Sequence, residues 1–194
     1  MTSRLEHRRQ MQAGIFDAAI RLFDQRGYDD TSVEEICAEA EVGRATFFRY
    51  YDTKTGLIRE LDRRVARKAA ERLTDTGAST FAESLRAVAD ALCETWENAS
   101  PGLRALGAES PTLPHQSRRV FAHVLDVVVG IVRTARRNGE LRSDLPPTLI
   151  AYIVVVQLLG PIGFWIENPD FDLRTLVEGS LQHCLDGYLS GAHL

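Results

Sequence analysis

The sequence predicts an all-α protein of about nine helices, with a small N-terminal domain and a larger helical C-terminal domain. Apolar residues recur every three or four positions along most of the 194-residue chain, which is the helical period. No stretch keeps the alternation of polar and apolar residues that is typical of a half-buried strand. The polar run at residues 74–79 is the main linker and separates the two domains.

Composition indicates a soluble globular protein, since 44% of the residues are hydrophobic and 26% are charged. A net charge of −4 excludes a polycation that would coat nucleic acid indiscriminately. Residues 1–72 hold 14 basic and 13 acidic side chains, whereas the remaining residues hold 9 and 14. The slight basic surplus therefore lies in the N-terminal part of the chain.

Nothing in the sequence indicates an enzyme, a metal site or a cofactor. It has no glycine-rich phosphate loop, no nucleophile elbow and no clustered cysteines or histidines. Cys37, Cys93 and Cys184 are far apart and lie on apolar stripes, so we expect reduced core residues in a cytoplasmic protein. The polar N-terminus is unlike a signal peptide.

Two short helices joined by a tight turn follow a longer first helix. The first helix is predicted from about residue 8 to 25, after a polar arm, and its inner face is formed by Ile15, Ala18, Ala19, Leu22 and Phe23. Thr31-Ser32, with acidic residues at capping-box spacing, begins the second helix. We expect Gly43 to take a positive φ in the turn before the third helix, residues 44–50.

The third helix has one inner and one outer face. Phe47 and Tyr51, with Val42 before the helix, are expected to point inward, whereas Arg44, Ala45, Thr46, Phe48 and Arg49 face outward. Helices this short need the first helix behind them as a brace. The arrangement is a helix-turn-helix, which places its second helix in the major groove of DNA. Acidic pairs such as Glu34-Glu35 are interpreted as solvated or capping residues.

Residues 8–60 resemble the DNA-binding domain of TetR-type transcriptional repressors. The motifs that carry the resemblance are Arg26-Gly27-Tyr28, Thr31-Ser32-Val33-x-x-Ile36 and Val42-Gly43-x-Ala45-Thr46-Phe47-Phe48-x-Tyr50-Tyr51-x-x-Lys54. Members of the family usually carry Tyr in place of Phe48, and its hydroxyl bonds a DNA phosphate. The resemblance implies binding to a palindromic double-stranded DNA operator and a cytoplasmic, nucleoid-associated protein.

We expect Arg44 and Arg49 to contact base edges, because the arginine fork matches guanine. Phosphates would be held by Thr31 or Ser32, together with Thr46, Tyr50 and Lys54. Ala45 and Phe48 complete the predicted DNA-binding surface, since a ring can pack on sugar or a thymine methyl.

The predicted domains are a helix-turn-helix domain at residues 1–54, a connecting helix at 55–73 and a helical effector-binding and dimerisation domain at 80–194. Helices five to nine are expected at about residues 80–98, 103–108, 115–138, 147–167 and 173–189. Gly160-Pro161 is expected to kink or end helix eight.

Helix eight is apolar around most of its circumference, so it needs a partner beyond its own domain. Its apolar run, 149–166, is interrupted by polar residues and is shorter than the ~20 residues that span a bilayer, so we expect no membrane. A homodimer through helices eight and nine, packed as a four-helix bundle, is expected instead.

The family resemblance also implies a ligand cavity enclosed by helices four to eight. The candidate ligand-binding residues are Trp96, Phe121, Tyr152, Gln157, Phe164 and Trp165, which suit a hydrophobic small molecule. We expect a repressor that such a ligand releases from its operator. Alternatives are a regulator of the same fold without a small-molecule effector, or an all-helical enzyme or carrier with a vestigial DNA-binding domain.

Overall fold

A computed structural model describes residues 4–109, 121–141 and 143–189. Within these ranges the chain contains nine α-helices and no strand, which confirms the predicted fold class. The helices are α1 (Arg4–Arg26), α2 (Val33–Glu39), α3 (Arg44–Tyr50), α4 (Ile58–Asp75), α5 (Phe81–Glu97), α6 (Pro101–Ala108), α7 (Ala122–Arg137), α8 (Pro147–Glu167) and α9 (Leu173–Leu189). A 3-10 turn, Thr55–Leu57, precedes α4.

The described chain divides into two compact units. Unit 1 contains α1, α2, α3, the first turn of α4 and also α6, whereas unit 2 contains the rest of α4 with α5, α7, α8 and α9. The boundary falls within α4, between Leu61 and Asp62. This division differs from the expected boundaries at residues 54, 73 and 80, chiefly because α6 packs with the N-terminal helices. The functional assignment of the domains stays a prediction.

The first helix is longer than predicted and already begins at Arg4, so residues 4–7 belong to α1 instead of a polar arm. Its predicted inner face is confirmed, since all five of its apolar residues are at most 5% exposed. α6 lies close against α1 because Gly102 N–H donates to Asp24 Oδ1 at 2.7 Å. A Cβ on Gly102 would come within 2.7 Å of Asp24 N, so only glycine permits this approach.

Unit 2 is a helical bundle in which α8 packs between α7 and α9, and α5 packs against both α7 and α9. The N-terminus of α7 is capped by Asp62 of α4, whose carboxylate accepts hydrogen bonds from His123 N at 2.8 Å and Val124 N at 3.1 Å. His123 Nδ1 lies 2.8 Å from the same carboxylate. Burial raises the pKa of Asp62, and the hydrogen bonds from His123 and Val124 oppose that shift.

α8 continues through Pro161 to Glu167, so of the two expected effects of Gly160-Pro161, a kink or an end of the helix, the end does not occur. By length and composition alone, its 21 residues could cross a membrane, but a core helix of a soluble protein passes the same test. One face of α8 is buried in unit 2. Its other face and the flanking loops expose large apolar side chains, namely Leu145, Leu149, Val156, Phe164 and Phe171.

The three cysteines are free thiols in the interior, as predicted. Cys37 lies in unit 1, and Cys93 and Cys184 lie in unit 2. Burial raises the pKa of Cys93 and of Cys184 to about 11, and it also raises the pKa of Cys37.

Candidate functional site

The second helix of the predicted helix-turn-helix begins with a complete capping box. Ser32 Oγ accepts a hydrogen bond from Glu35 N at 3.2 Å, and Ser32 N donates to Glu35 Oε2 at 2.8 Å. The hydrogen bond from the Ser32 backbone lowers the pKa of Glu35. This local network confirms the start predicted from the sequence and fixes the direction in which the chain enters α2.

The turn between α2 and α3 differs from the prediction in its left-handed residue. Glu41, at φ 52°, takes the positive φ that was expected of Gly43, and Gly43 is extended at φ −76° and caps α3. Val42 N donates to Cys37 O at 2.9 Å and Glu41 N donates to Ala38 O at 3.2 Å. This is a Schellman motif, in which the left-handed residue directly follows the helix cap.

α3 is fixed from its inner side by two aromatic residues. Phe47 is fully buried and Tyr51 is 2% exposed, with their ring centroids 5.7 Å apart. Tyr51 also donates its hydroxyl hydrogen to Gln12 O of α1 at 2.9 Å. These contacts hold α3 on α1 in one orientation, so its outer side chains are presented by a rigid base.

The outer face of α3 brings together most of the predicted DNA-binding residues. Arg44, Ala45, Phe48 and Arg49 are exposed, and Thr46 and Tyr50 are half-buried. The Tyr50 ring lies near two guanidinium groups, with its centroid 5.7 Å from Arg8 Cζ and 5.0 Å from Arg49 Cζ. Arg8 of α1 therefore adds positive charge beside α3. A helix face with three nearby arginines suits a polyanion.

Thr31 and Lys54, which were predicted to hold phosphates, have internal contacts. Thr31 is only 1% exposed and donates its hydroxyl to Gly27 O at 2.8 Å, so we correct the prediction and exclude its side chain from the site. Lys54 Nζ donates to Tyr28 O at 2.5 Å and to Thr31 O at 3.0 Å. The same ammonium group lies 4.0 Å from the centroid of the Tyr28 ring, and the Ser32 hydroxyl takes part in the capping box.

One ion pair in this region was missed by the sequence interpretation. Glu34, assigned to solvation or capping, forms an ion pair with Arg44 across the turn. Arg8, at the predicted start of the first helix, lies in α1 with its guanidinium beside the Tyr50 ring. A fixed partner for Glu34 could not be found from spacing alone, because ten residues and a turn separate it from Arg44.

The six predicted ligand-binding residues have different environments. Trp96 and Trp165 are buried, Phe121 and Tyr152 are half-buried, and Gln157 and Phe164 are exposed. The Trp165 indole N–H donates to Phe171 O at 3.1 Å, and the Phe164 and Phe171 rings meet at 5.3 Å. Phe164 and Gln157 therefore lie on the outer side of α8, outside the interior of unit 2.

Of the six predicted ligand-binding residues, Tyr152 has the clearest structural indication of a bound polar group. Its hydroxyl oxygen is buried and has no hydrogen-bond partner among the residues that the structure describes. A buried hydroxyl without a partner is costly, so a bound polar group there would be favourable. Two surface concavities formed by described residues, one between α5 and α7 and one between α5 and α9, contain none of the six candidates.

Family models match both parts of the chain. Residues 15–61 match the model described as bacterial regulatory proteins, tetR family, and residues 104–189 match the MftR C-terminal domain. The putative mycofactocin biosynthesis transcriptional regulator MftR of Mycobacterium tuberculosis is 28% identical over 174 residues, covering 82% of this chain and 81% of that protein.

Solved structures show the same fold. Thermus thermophilus FadR, a TetR family transcriptional repressor in complex with lauroyl-CoA, has a TM-score of 0.68 and 26% identity, covering 91% of this chain and 94% of that chain. Bacillus subtilis FadR in complex with stearoyl-CoA has a TM-score of 0.64 and 19% identity, covering 93% and 99%.

Proposed function

The chain belongs to the TetR family and is a DNA-binding transcriptional regulator, and on this premise we propose that it is a repressor that a hydrophobic small molecule releases from a palindromic operator. The observation that carries the DNA-binding part is the outer face of α3. Phe47 and Tyr51 hold this helix from behind, so Arg44 and Arg49 project from a fixed base.

In this mechanism α3 enters the major groove. Arg44 and Arg49 contact base edges, with guanine preferred because its O6 and N7 accept both hydrogen bonds of a guanidinium. Tyr50, Thr46 and Arg8 contact phosphates and set the register, and Phe48 packs on sugar or a thymine methyl. Lys54 adds positive charge close to the duplex while it ties together the backbone of residues 28 and 31.

A homodimer presents two such helices to the two half-sites of a palindrome. Its support is the exposed apolar face of α8, which includes Leu149, Val156 and Phe164. Burying this face against its copy removes it from water. We expect Val156→Glu to yield monomers by sedimentation, whereas Gln10→Glu, which adds the same charge at an exposed position of α1, leaves the dimer intact.

The proposed effector is amphipathic, with a long apolar chain. Buried Trp96 and Trp165 supply apolar surface, and the Tyr152 hydroxyl supplies a hydrogen-bonding group that has no described partner. The two FadR proteins named above hold acyl-CoA molecules, which makes this chemical class the first to test. Ligand binding would favour a conformation with lower operator affinity, which is a coupling between two distinct sites.

The test is DNA binding measured by fluorescence anisotropy, with DNA from upstream of the protein's own gene, at a stated salt concentration. Lauroyl-CoA should release a specific complex, and free CoA, which lacks the acyl chain, should not. Arg49→Ala should weaken specific binding by about 1–3 kcal/mol. The matched control is Arg67→Ala, an exposed arginine on α4 that pairs with Glu71.

Binding that no acyl-CoA releases would contradict the proposed effector class and favour a regulator without a small-molecule effector. Specific binding that survives both Arg44→Ala and Arg49→Ala would overturn the assignment of α3 as the reading helix.

A further inference from the structure

Glu34 and Phe48 both hold the guanidinium of Arg44. Arg44 is the first residue of α3, and its Nη1 forms an ion pair with Glu34 Oε1 of α2. The Arg44 Cζ atom lies 5.8 Å from the centroid of the Phe48 ring, one turn along α3. The Phe48 ring rests edge-to-face on the fully buried Phe47, with centroids 5.4 Å apart. Arg44 is thereby linked to the rigid interior of unit 1.

Stability does not explain the Glu34–Arg44 pair. Both side chains are more than half exposed, at 54% and 63%, and exposed ion pairs contribute only about 0–1 kcal/mol. The other two carboxylates of α2 bind arginines of α1, since Glu35 pairs with Arg26 and Glu39 pairs with Arg21. Among the described residues, Glu34 is the α2 carboxylate that pairs across the turn with α3.

A carboxylate at this place has two opposed effects on DNA binding. It lies beside the proposed reading helix, so it repels the phosphates of every DNA sequence. It also restricts the Arg44 side chain and uses one of its five N–H groups, which leaves donors for a base edge. Restricting the Arg44 side chain favours the DNA sequence whose base edge has hydrogen-bond acceptors at the position where the guanidinium is already held.

We propose that Glu34 is a specificity-determining residue that positions Arg44 for base readout and lowers affinity for non-matching DNA. This inference rests on the proposed DNA-reading role of α3. Arg49 offers an internal comparison, because it has no carboxylate partner among the described residues and its guanidinium lies over the Tyr50 ring. Arg44 is therefore the more selective of the two arginines, and Glu34 is the cause.

The test begins with selection of binding sites from a randomised DNA library by the wild-type protein. The Kd values of the selected site, of its single-base-pair variants and of unrelated DNA are then measured at one salt concentration. Glu34→Gln should bind unrelated DNA about 2- to 5-fold more tightly, because one phosphate-repelling charge is lost. Discrimination at the base pair read by Arg44 should fall about 5- to 10-fold, within the range of a bidentate contact.

Two comparisons separate positioning from a simple charge effect. Glu39→Gln removes another exposed α2 carboxylate, one that pairs with α1, so it should tighten binding to all sequences without a loss of discrimination. In an Arg44→Ala background, Glu34→Gln should no longer change discrimination, because its effect acts through Arg44.

The outcomes are distinguishable. Failure of the wild-type protein to enrich any sequence would contradict the proposed function itself. Enrichment by the wild type, with unchanged discrimination in Glu34→Gln, would overturn the role of Glu34 alone. A loss of discrimination that persists without Arg44 would mean that Glu34 contacts a base directly, which also contradicts positioning.

Discussion

Ser180 of α9 donates its hydroxyl to the backbone carbonyl of Gln157 in α8, at 2.7 Å. Gln157 is four residues before Pro161, which has no N–H and leaves this carbonyl without its helical partner. The serine hydroxyl replaces the missing donor, so the helix continues and the two last helices are joined at the same point. This pairing explains why a proline inside α8 does not end it.

Ser180→Ala should therefore lower the free energy of unfolding by about 0.5–1.5 kcal/mol, the usual net value of one hydrogen bond. Pro161→Ala restores an N–H that can reach Gln157 O within the helix. The loss from Ser180→Ala should be smaller in that background. Urea unfolding of the wild type, the two single variants and the double variant, all at the same protein concentration, measures these free energies. An equal loss from Ser180→Ala in both backgrounds would show that the Ser180 hydroxyl does not replace the donor missing at Pro161.

Lys54→Met should destabilise unit 1 by about 1.5–3 kcal/mol, the range for hydrogen bonds made by a charged group. The ammonium group contacts two carbonyls and lies 4.0 Å from the centroid of the Tyr28 ring, and methionine retains only part of the apolar stem. Thermal unfolding measures the loss. The salt dependence of DNA binding then tests phosphate contact, because losing one such contact lowers the slope by about one. An unchanged slope would make Lys54 purely structural.

Phe48→Tyr should strengthen binding to all DNA sequences about equally. The ring is 42% exposed on the outer face of α3, so an added hydroxyl can reach solvent and a phosphate without disturbing the core. The expected gain is about 1.5–3 kcal/mol, the range for one hydrogen bond to a charged group. Anisotropy with matched and unrelated DNA measures it. A gain confined to the matched site would instead place this ring at a base.

Acid should destabilise unit 2 in a definite pH window. Hydrogen bonds from the Ser79 and Thr80 backbone lower the pKa of Glu83 from 4.5 to about 2, and hydrogen bonds from Lys68 and Arg72 do the same for Glu94. A lowered folded-state pKa stabilises the protein above 4.5, and this contribution is lost as the pH falls from 4.5 towards 2. Glu94→Gln should flatten the dependence of Tm on pH in that window. A curve as steep as that of the wild type would exclude this carboxylate as a cause.

The helix-turn-helix could be predicted closely because its signals are local. The capping box at Ser32 and the inner residues Phe47 and Tyr51 depend on spacing within a few positions, and the structure has them as expected. The prediction of a positive φ at Gly43 was wrong, because glycine tolerates a left-handed conformation without requiring it. Glu41 takes that conformation two residues earlier, where α2 ends.

The remaining features depend on distant parts of the chain. The cap that Asp62 provides for α7 spans 61 residues, and its one sequence signal is an acidic residue on the apolar stripe of α4. Packing of α6 on α1 joins Gly102 to Asp24 over 78 residues. The spacing of apolar residues within one helix does not indicate contacts between residues so far apart in the sequence. The ligand-binding residues stay a prediction, because aromatic residues at helical spacing occur equally in a plain core.

The reaction of the buried thiols with a labelling reagent can measure the transient unfolding of each unit. A maleimide reacts with thiolate, which is scarce when the thiol is inaccessible and its pKa is raised. Each cysteine should therefore react only during transient unfolding of the unit around it. Because Cys37 lies in one unit and Cys93 and Cys184 in the other, peptide mapping of a timed labelling reaction would yield two separate opening rates. Repeating the labelling with operator DNA or with a candidate effector would then show which unit each of these ligands stabilises, without any engineered probe.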